Sequence, residues 1–235
     1  SETRKPLSPR VLGTIIQALQ GADLTNMVRR QSICSLIGNA APQPLLYELY
    51  ISIDDVRDTL APGFNLGANR WLFNYLTENL DYSMLAIMEK STNLSSAAEI
   101  SINLNVSTLL SPEFIKFDDN INASMRGSLI VEVQIVDIFS NLNAFIFARD
   151  YVKDRGYRIC VDGLTHDTLS VVNRERLGAD MVKILWNNDL PEVANRKKIM
   201  EKIKSLGKSR VILCHCDNKE AVNYGHDFGI SMFQG

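Results

Sequence analysis

The sequence has no Gly-x-Gly-x-x-Gly run, no Cys-x-x-Cys pair and no long apolar stretch. The first absence removes the dinucleotide-binding version of an open α/β sheet. The second leaves no ordinary zinc framework. The third rules out a helical membrane span, which needs about 18 or more consecutive apolar residues. Four cysteines without framework spacing point to reduced thiols and a cytoplasmic address. The opening Ser1-Glu2-Thr3-Arg4-Lys5 lacks the apolar core of a signal peptide. A net charge of −2 gives no general attraction to nucleic acid or to an anionic membrane.

Of the 235 residues, 46% are hydrophobic and 22% charged, the balance of a soluble globular chain. Residues 1–27 read as a polar lead followed by a helix. Ser8 caps that helix, Pro9 fits its first turn, and Val11, Leu12, Ile15, Ile16 and Leu19 recur at helical spacing. Residues 28–235 read as one barrel-sized domain. Strands are expected at 28–36, 45–53, 98–105, 128–135, 157–162, 180–185, 210–214 and 231–233. Helices are expected at 65–90, 112–125, 141–155, 167–177, 191–206 and 219–228. On the 65–90 helix, Trp71 and Tyr75 are expected to pack in the core. The apolar runs are continuous rather than alternating, as in strands buried on both faces. Eight strands with helices between them imply a TIM-type (β/α)8 barrel, with a doubly wound open sheet as the alternative.

Such barrels build their sites from residues at the carboxyl ends of the strands. Glu48, Asn103, Glu132, Asp162 and Lys183 each fall in a different strand. Three carboxylates and an amide suit a hard cation such as magnesium or manganese. A lysine among them suits a phosphate or an attacking water. Taken singly, each is a polar group at a sheet rim. Taken together, charges on buried strands require partners. Cys214-His215-Cys216 is a weaker zinc reading. On a strand the two thiols share a face and the histidine takes the other, and two more ligands are missing. His166 is either a general base or simply a solvated loop residue.

From Val28 to Gly235 the order of these pieces resembles the EAL domain, the barrel family that hydrolyses the bacterial second messenger cyclic di-GMP. Tyr47-Glu48-Leu49-Tyr50 stands at the Glu-Ala-Leu signature and Ile102-Asn103-Leu104-Asn105 at the Asn-Leu-Ser strand. Val131-Glu132-Val133-Gln134-Ile135 resembles Glu-x-Thr-Glu, and Asp162-Gly163-Leu164-Thr165-His166-Asp167 stands at the Asp-Asp-Phe-Gly-Thr-Gly loop. Lys183-Ile184-Leu185 is similar to Lys-Ile-Asp. Leu213-Cys214-His215-Cys216-Asp217 stands at Ala-Glu-Gly-Val-Glu, and Phe228 to Gly235 follows the closing Gly-x-x-x-x-Gln-Gly. The resemblance implies an EAL-like barrel with an antiparallel early strand. It implies metal ligands at Glu48, Asn103, Glu132 and Asp162, and dinucleotide contacts at Asn103, Asp162, Lys183 and Gln234.

The departures from the family pattern decide the functional expectation. Gly163 stands for the second carboxylate of the Asp-Asp pair, Ile135 for the second glutamate of its strand, Leu185 for an aspartate and Cys214 for a glutamate. Ser52 stands for an arginine that the family places on a phosphate. The first metal's expected ligands, Glu48, Asn103, Glu132 and Asp162, are all present, but the arrangement that would hold a second metal is broken, which undoes the two-metal mechanism that the resemblance implies. The reading is a degenerate bacterial EAL domain with Glu48, Asp162 and Lys183 as vestiges of catalysis. No cofactor is expected beyond at most one weakly held magnesium or manganese ion. The expected function is signal transduction through an unidentified protein partner, with weak or no cyclic di-GMP binding and no nucleic-acid partner. Two alternatives are a cyclic di-GMP receptor without hydrolysis and an active phosphodiesterase with an altered metal site. A homodimer is open on this reading.

Overall fold

The computed structural model describes residues 4–38, 40–90, 99–187 and 196–235. In chain order the elements begin with β1 (Lys5–Pro6), α1 (Pro9–Gly21), β2 (Val28–Ser35), β3 (Gln43–Ile51) and α2 (Ile53–Leu60). They continue with β4 (Phe64–Asn65), α3 (Arg70–Lys90), β5 (Glu99–Asn103), α4 (Val106–Leu109), α5 (Pro112–Asn120) and α6 (Ala123–Ser128). Next come β6 (Leu129–Gln134), α7 (Ile135–Ser140), α8 (Leu142–Asp154), β7 (Arg158–Leu164), α9 (His166–Leu169) and α10 (Arg174–Leu177). The chain closes with β8 (Met181–Leu185), α11 (Arg196–Leu206), β9 (Val211–Cys214), α12 (Lys219–Asp227) and β10 (Met232–Gln234).

Among the described residues, eight strands close a barrel in the order β10-β2-β3-β5-β6-β7-β8-β9. The pairs β6–β7, β7–β8, β8–β9 and β9–β10 are parallel, whereas β2 runs antiparallel to β10. The (β/α)8 architecture with an antiparallel early strand is therefore the fold of this chain.

The contacts divide the chain into two compact units. One holds Ser1–Arg30, Leu49–Ser95 and Asn103–Asn122; the other holds Gln31–Glu48, Ser96–Ile102 and Ala123–Gly235. In the first, α1 begins as expected, with the Ser8 hydroxyl accepting from the Val11 amide and Pro9 in the first turn. Leu12, Ile15, Ile16 and Leu19 form its buried stripe, and α1 packs on α3. In α3 the buried face is Leu76, Leu80, Asp81, Met84, Leu85 and Met88. Trp71 and Tyr75 are 82% and 54% exposed, which overturns the core placement expected for both. They precede the buried stripe, which begins at Leu76.

In the second unit the barrel interior is filled by Ile33, Leu46, Ile130, Cys160, Met181, Ile212, Cys214 and Met232. Six of these, on six different strands, are followed two residues later by a polar or thiol side chain that is itself at least partly buried. Leu46 precedes Glu48, Ile130 precedes Glu132, Cys160 precedes Asp162, Met181 precedes Lys183, Ile212 precedes Cys214 and Met232 precedes Gln234. Side chains alternate across a strand with a period of two. Each of these six strands thus sends one residue into the barrel core and its next same-face residue to the layer above.

Several expected boundaries shift for local reasons. The helix expected over 112–125 is interrupted, because Ile121 adopts an extended conformation between α5 and α6. The helix expected over 167–177 is two single turns, α9 and α10. Helix α7, starting directly at Ile135, was not expected. Residue 98 of the third expected strand and residues 191–195 of the 191–206 helix lie outside the described residues. Among the described residues no helix is long and apolar enough to cross a membrane.

Candidate functional site

The barrel mouth is closed by a network of internal partners. Lys183 Nζ donates to Glu48 Oε2 at 2.7 Å and to Glu132 Oε2 at 2.6 Å. The Lys183 side chain is 2% exposed, Glu132 1% and Glu48 12%. Gln234 Nε2 donates to the same Glu48 oxygen at 2.5 Å and to Gln31 Oε1 at 3.3 Å. The Cys214 thiol donates to Gln234 Oε1 at 3.3 Å. Both ends of the Gln234 amide are therefore committed within the fold, and its orientation is fixed by opposite partners.

Asp162 stands somewhat apart. Gln134 Nε2 donates to its Oδ2, and its Oδ1 accepts from the Gly163 amide at 2.7 Å. The β7–β8 register slips between Val161 and Leu164, and Gly163 takes a left-handed φ of +80° within that bulge. A Cβ at Gly163 would stand 2.5 Å from Gln134 Oε1. The glycine is thus the residue that its own backbone conformation requires. Gln134 is a functional neighbour that the sequence reading passed over. Its signal was available, since it shares strand parity with Glu132 and pairs in register with Asp162.

Burial pulls the Lys183 ammonium toward neutrality, but Glu132 and Glu48 outweigh it and hold the lysine firmly charged. The Glu132 pKa also moves up, which favours its neutral form. Burial raises its pKa to about 7 against the pull of Lys183, with Glu48 and Asp162 adding repulsion. Asp162 is raised by burial as well, opposed by Lys183 and by the Gly163 amide. Burial is the leading cause for both carboxylates, and Lys183 only partly offsets it. Burial pushes the Cys160 and Cys214 thiols well up, which keeps both neutral.

The other expected positions fall elsewhere. Asn103 is the last residue of β5 and belongs to the other compact unit. Ser52 is the N-cap of α2, its hydroxyl accepting from the Asp55 amide at 3.2 Å. Ile135 is buried at the start of α7, and Leu185 packs against the barrel core beside Cys214. His166 Nε2 lies 3.0 Å from Asp167 Oδ1, and His166 lines a pocket of about 500 Å³ with Lys198 and Lys202. None of the mouth network lines that pocket. Strand β9 ends at Cys214, and His215 has φ 62°, so the strand alternation expected for Cys214-His215-Cys216 does not apply. Cys216 instead donates to the Leu213 carbonyl at 3.3 Å.

The fit of a divalent metal can be judged from these donors. Among the described residues no group of three or more His, Cys, Asp or Glu is placed to hold one. Glu48 and Glu132 converge on an ammonium, Asp162 is turned to Gln134 and Gly163, and Cys214 is a neutral donor. As arranged, the residues do not fit a metal ion.

No protein-family model matches the sequence. No curated protein matches it either. Solved structures do resemble its fold. The S helix-GGDEF-EAL chain of Vibrio cholerae LapD, bound to c-di-GMP, superposes with a TM-score of 0.73 at 14% identity, covering 97% of this chain. This chain spans 57% of that one. The Pseudomonas aeruginosa FimX EAL domain, also bound to c-di-GMP, gives 0.65 at 15% identity and covers 96% and 93% of the two chains. Bacillus subtilis YkuI, with an EAL domain and in complex with c-di-GMP and calcium, gives 0.63 at 16% identity over 97% and 56%. At these identities the likeness speaks for the architecture: this chain has the barrel fold of EAL domains.

Proposed function

We propose that this chain is a non-catalytic EAL-type signalling domain that acts through protein–protein contact and holds cyclic di-GMP weakly or not at all. The observation that carries the reading is the Lys183 ammonium, seated 2.6 Å and 2.7 Å from Glu132 and Glu48 in the layer where the family resemblance places metal ligands. Hydrolysis by a two-metal route needs several anionic ligands free to converge on cations. Here Gly163, Ile135, Leu185 and Cys214 supply none. Loss of the phosphate-binding arginine at Ser52 removes a bidentate, charge-assisted contact, worth about 1.5–3 kcal/mol. That is roughly ten- to a hundredfold or more in affinity.

Protein contact is supported by an exposed apolar face in the second unit. Val136 and Phe139 on α7, and Leu142, Ile146 and Phe147 on α8, are all exposed. Apolar side chains gathered on one surface mark interaction sites more often than scattered ones do. The four free cysteines support a reducing, cytoplasmic setting.

A second reading is a receptor that binds cyclic di-GMP without cleaving it. It is favoured by the bound nucleotide in LapD and FimX, which share this fold. Calorimetry with cyclic di-GMP, with and without magnesium, separates the two. The first reading expects no heat at micromolar nucleotide; saturable micromolar binding would replace it with the second. Nucleotide cleavage at an ordinary enzymatic rate would overturn both.

A further inference from the structure

We infer that the pocket between α9 and α11 binds a small sugar phosphate, with Lys198 and Lys202 holding the phosphate group. The pocket lies within the second unit, shares no residue with the barrel-mouth network and does not rest on the non-catalytic reading. Its volume of about 500 Å³ suits a small molecule.

Helix α11 turns Ile199, Ile203 and Leu206 into the core and packs on α9. Lys198 and Lys202 stand four residues apart, so they are neighbours on one flank of the helix, and both line the pocket. Among the described residues neither ammonium has an ion-pair or hydrogen-bond partner, whereas Arg196 of the same helix is paired with Asp227. Residues 196–210 carry seven basic side chains and one acidic one, on a chain whose net charge is −2. The positive field is therefore local to this segment, and it draws an anion here. A phosphomonoester brings about −1.5 to −2 charges at neutral pH and several strong acceptor oxygens. It matches a pair of ammonium groups, where a single carboxylate would leave one of them unbalanced.

The rest of the lining suits hydroxyl groups. The Ser170 hydroxyl donates to the Asp167 carbonyl at 3.1 Å, and the Ser205 hydroxyl donates to the Lys202 carbonyl at 2.7 Å. Their oxygens remain as acceptors. Glu201 adds a carboxylate that has no internal partner among the described residues. The Asp167 carboxylate is turned toward the His166 imidazole, with Nε2 and Oδ1 3.0 Å apart. Leu169 and Ile199, both buried, supply an apolar floor for a sugar ring. An anionic head on a hydroxylated body thus meets a complement in each of these groups.

The test is calorimetric titration of the full chain with ribose 5-phosphate, with ribose and inorganic phosphate as controls. The native chain is expected to bind ribose 5-phosphate saturably at millimolar concentration or below, inorganic phosphate more weakly and ribose not at all. Lys198→Ala/Lys202→Ala is expected to lose at least about tenfold in affinity. Lys197→Ala/Lys204→Ala removes the same charge from the same helix at positions outside the pocket, and is expected to bind as the native chain does. Equal thermal midpoints for the three chains show that lost binding is not lost folding. Proton NMR of the native chain locates the event without any variant: His166 is expected to shift on titration while His215 and His226 stay in place. The inference is overturned if ribose 5-phosphate shows no saturable binding at millimolar concentration, or if His166 is unmoved at saturation. An equal loss in the two double variants also overturns it, because the attraction would then belong to the whole helix. Inorganic phosphate that binds as tightly as ribose 5-phosphate overturns the sugar assignment. No arm uses cyclic di-GMP or a metal, so failure here leaves the non-catalytic reading as it stands.

Discussion

Lys183 and Glu132 form an ion pair of 2.6 Å with only 2% and 1% of their side chains exposed, joining strands β8 and β6 across the barrel mouth. Breaking a buried pair from one side leaves a charge without a partner, which costs more than the pair itself contributes.

Lys183→Met should destabilise the chain by about 3–5 kcal/mol, because it strands Glu132 and Glu48 against each other. Adding Glu132→Gln should recover a large part of that loss, since it removes one of the facing charges. Denaturant unfolding of the single and double variants checks this as a coupling energy.

Gly163→Asp should fail to restore a working carboxylate pair. The backbone there sits at φ +80°, and a Cβ would meet Gln134 Oε1 at 2.5 Å. The conformational part alone is on the order of 1–2 kcal/mol. Gln134→Ala in the same chain should relieve the collision but not the backbone strain. Thermal unfolding of the single and double variants separates the two.

Ser52→Ala should cost about 1 kcal/mol by removing the N-cap of α2. Ser52→Arg carries the same loss, so regaining the phosphate-binding arginine comes with a weaker helix start. Denaturant unfolding of both variants is the check, and equal stability to the native chain would contradict it.

In the first unit, Asp81 Oδ2 accepts from the Asn105 amide N–H at 2.8 Å, the Asn105 side chain at 2.8 Å and the Thr108 hydroxyl at 2.6 Å. Burial raises the Asp81 pKa from 3.8 to about 7, against those three donors and with Glu78 adding repulsion. The folded state therefore holds a proton that the unfolded chain has released. Asp81 favours folding fully below about pH 4, and that contribution is lost as pH rises through about 7. Asp81→Asn keeps an oxygen to accept the same bonds but cannot ionise. It should match the native chain near pH 4, gain on it between about pH 4 and 7, and exceed it by up to about 4 kcal/mol near pH 9. Chemical denaturation across that range reads the difference.

Much of this molecule was legible from periodicity. Continuous apolar runs located the barrel strands, and strand ends located Glu48, Glu132, Asp162 and Lys183. The two-residue step from Ile130 to Glu132 and from Met181 to Lys183, which sets a charged layer above the apolar one, was present in the sequence but was not read. What the sequence did not yield is which of those groups satisfy one another. Lys183 was read as a holder of phosphate or water, yet its partners lie 135 and 51 positions away in the chain. Pairing over such separations depends on barrel closure and register, not on local pattern. Gly163 carried a readable signal, because a glycine inside a strand marks a bulge; it was read only as a missing ligand. Trp71 and Tyr75 were misplaced because the apolar stripe was extended N-terminally of Leu76, where the burial of α3 begins. Asp81 gave no local signal, since its donors Asn105 and Thr108 lie more than twenty residues downstream.

The most direct test of the central claim is incubation of the full chain with cyclic di-GMP and manganese, followed by chromatography of the nucleotide. The account predicts that cyclic di-GMP is recovered intact. Linear product that accumulates in proportion to protein, and disappears with Glu48→Ala, would contradict it.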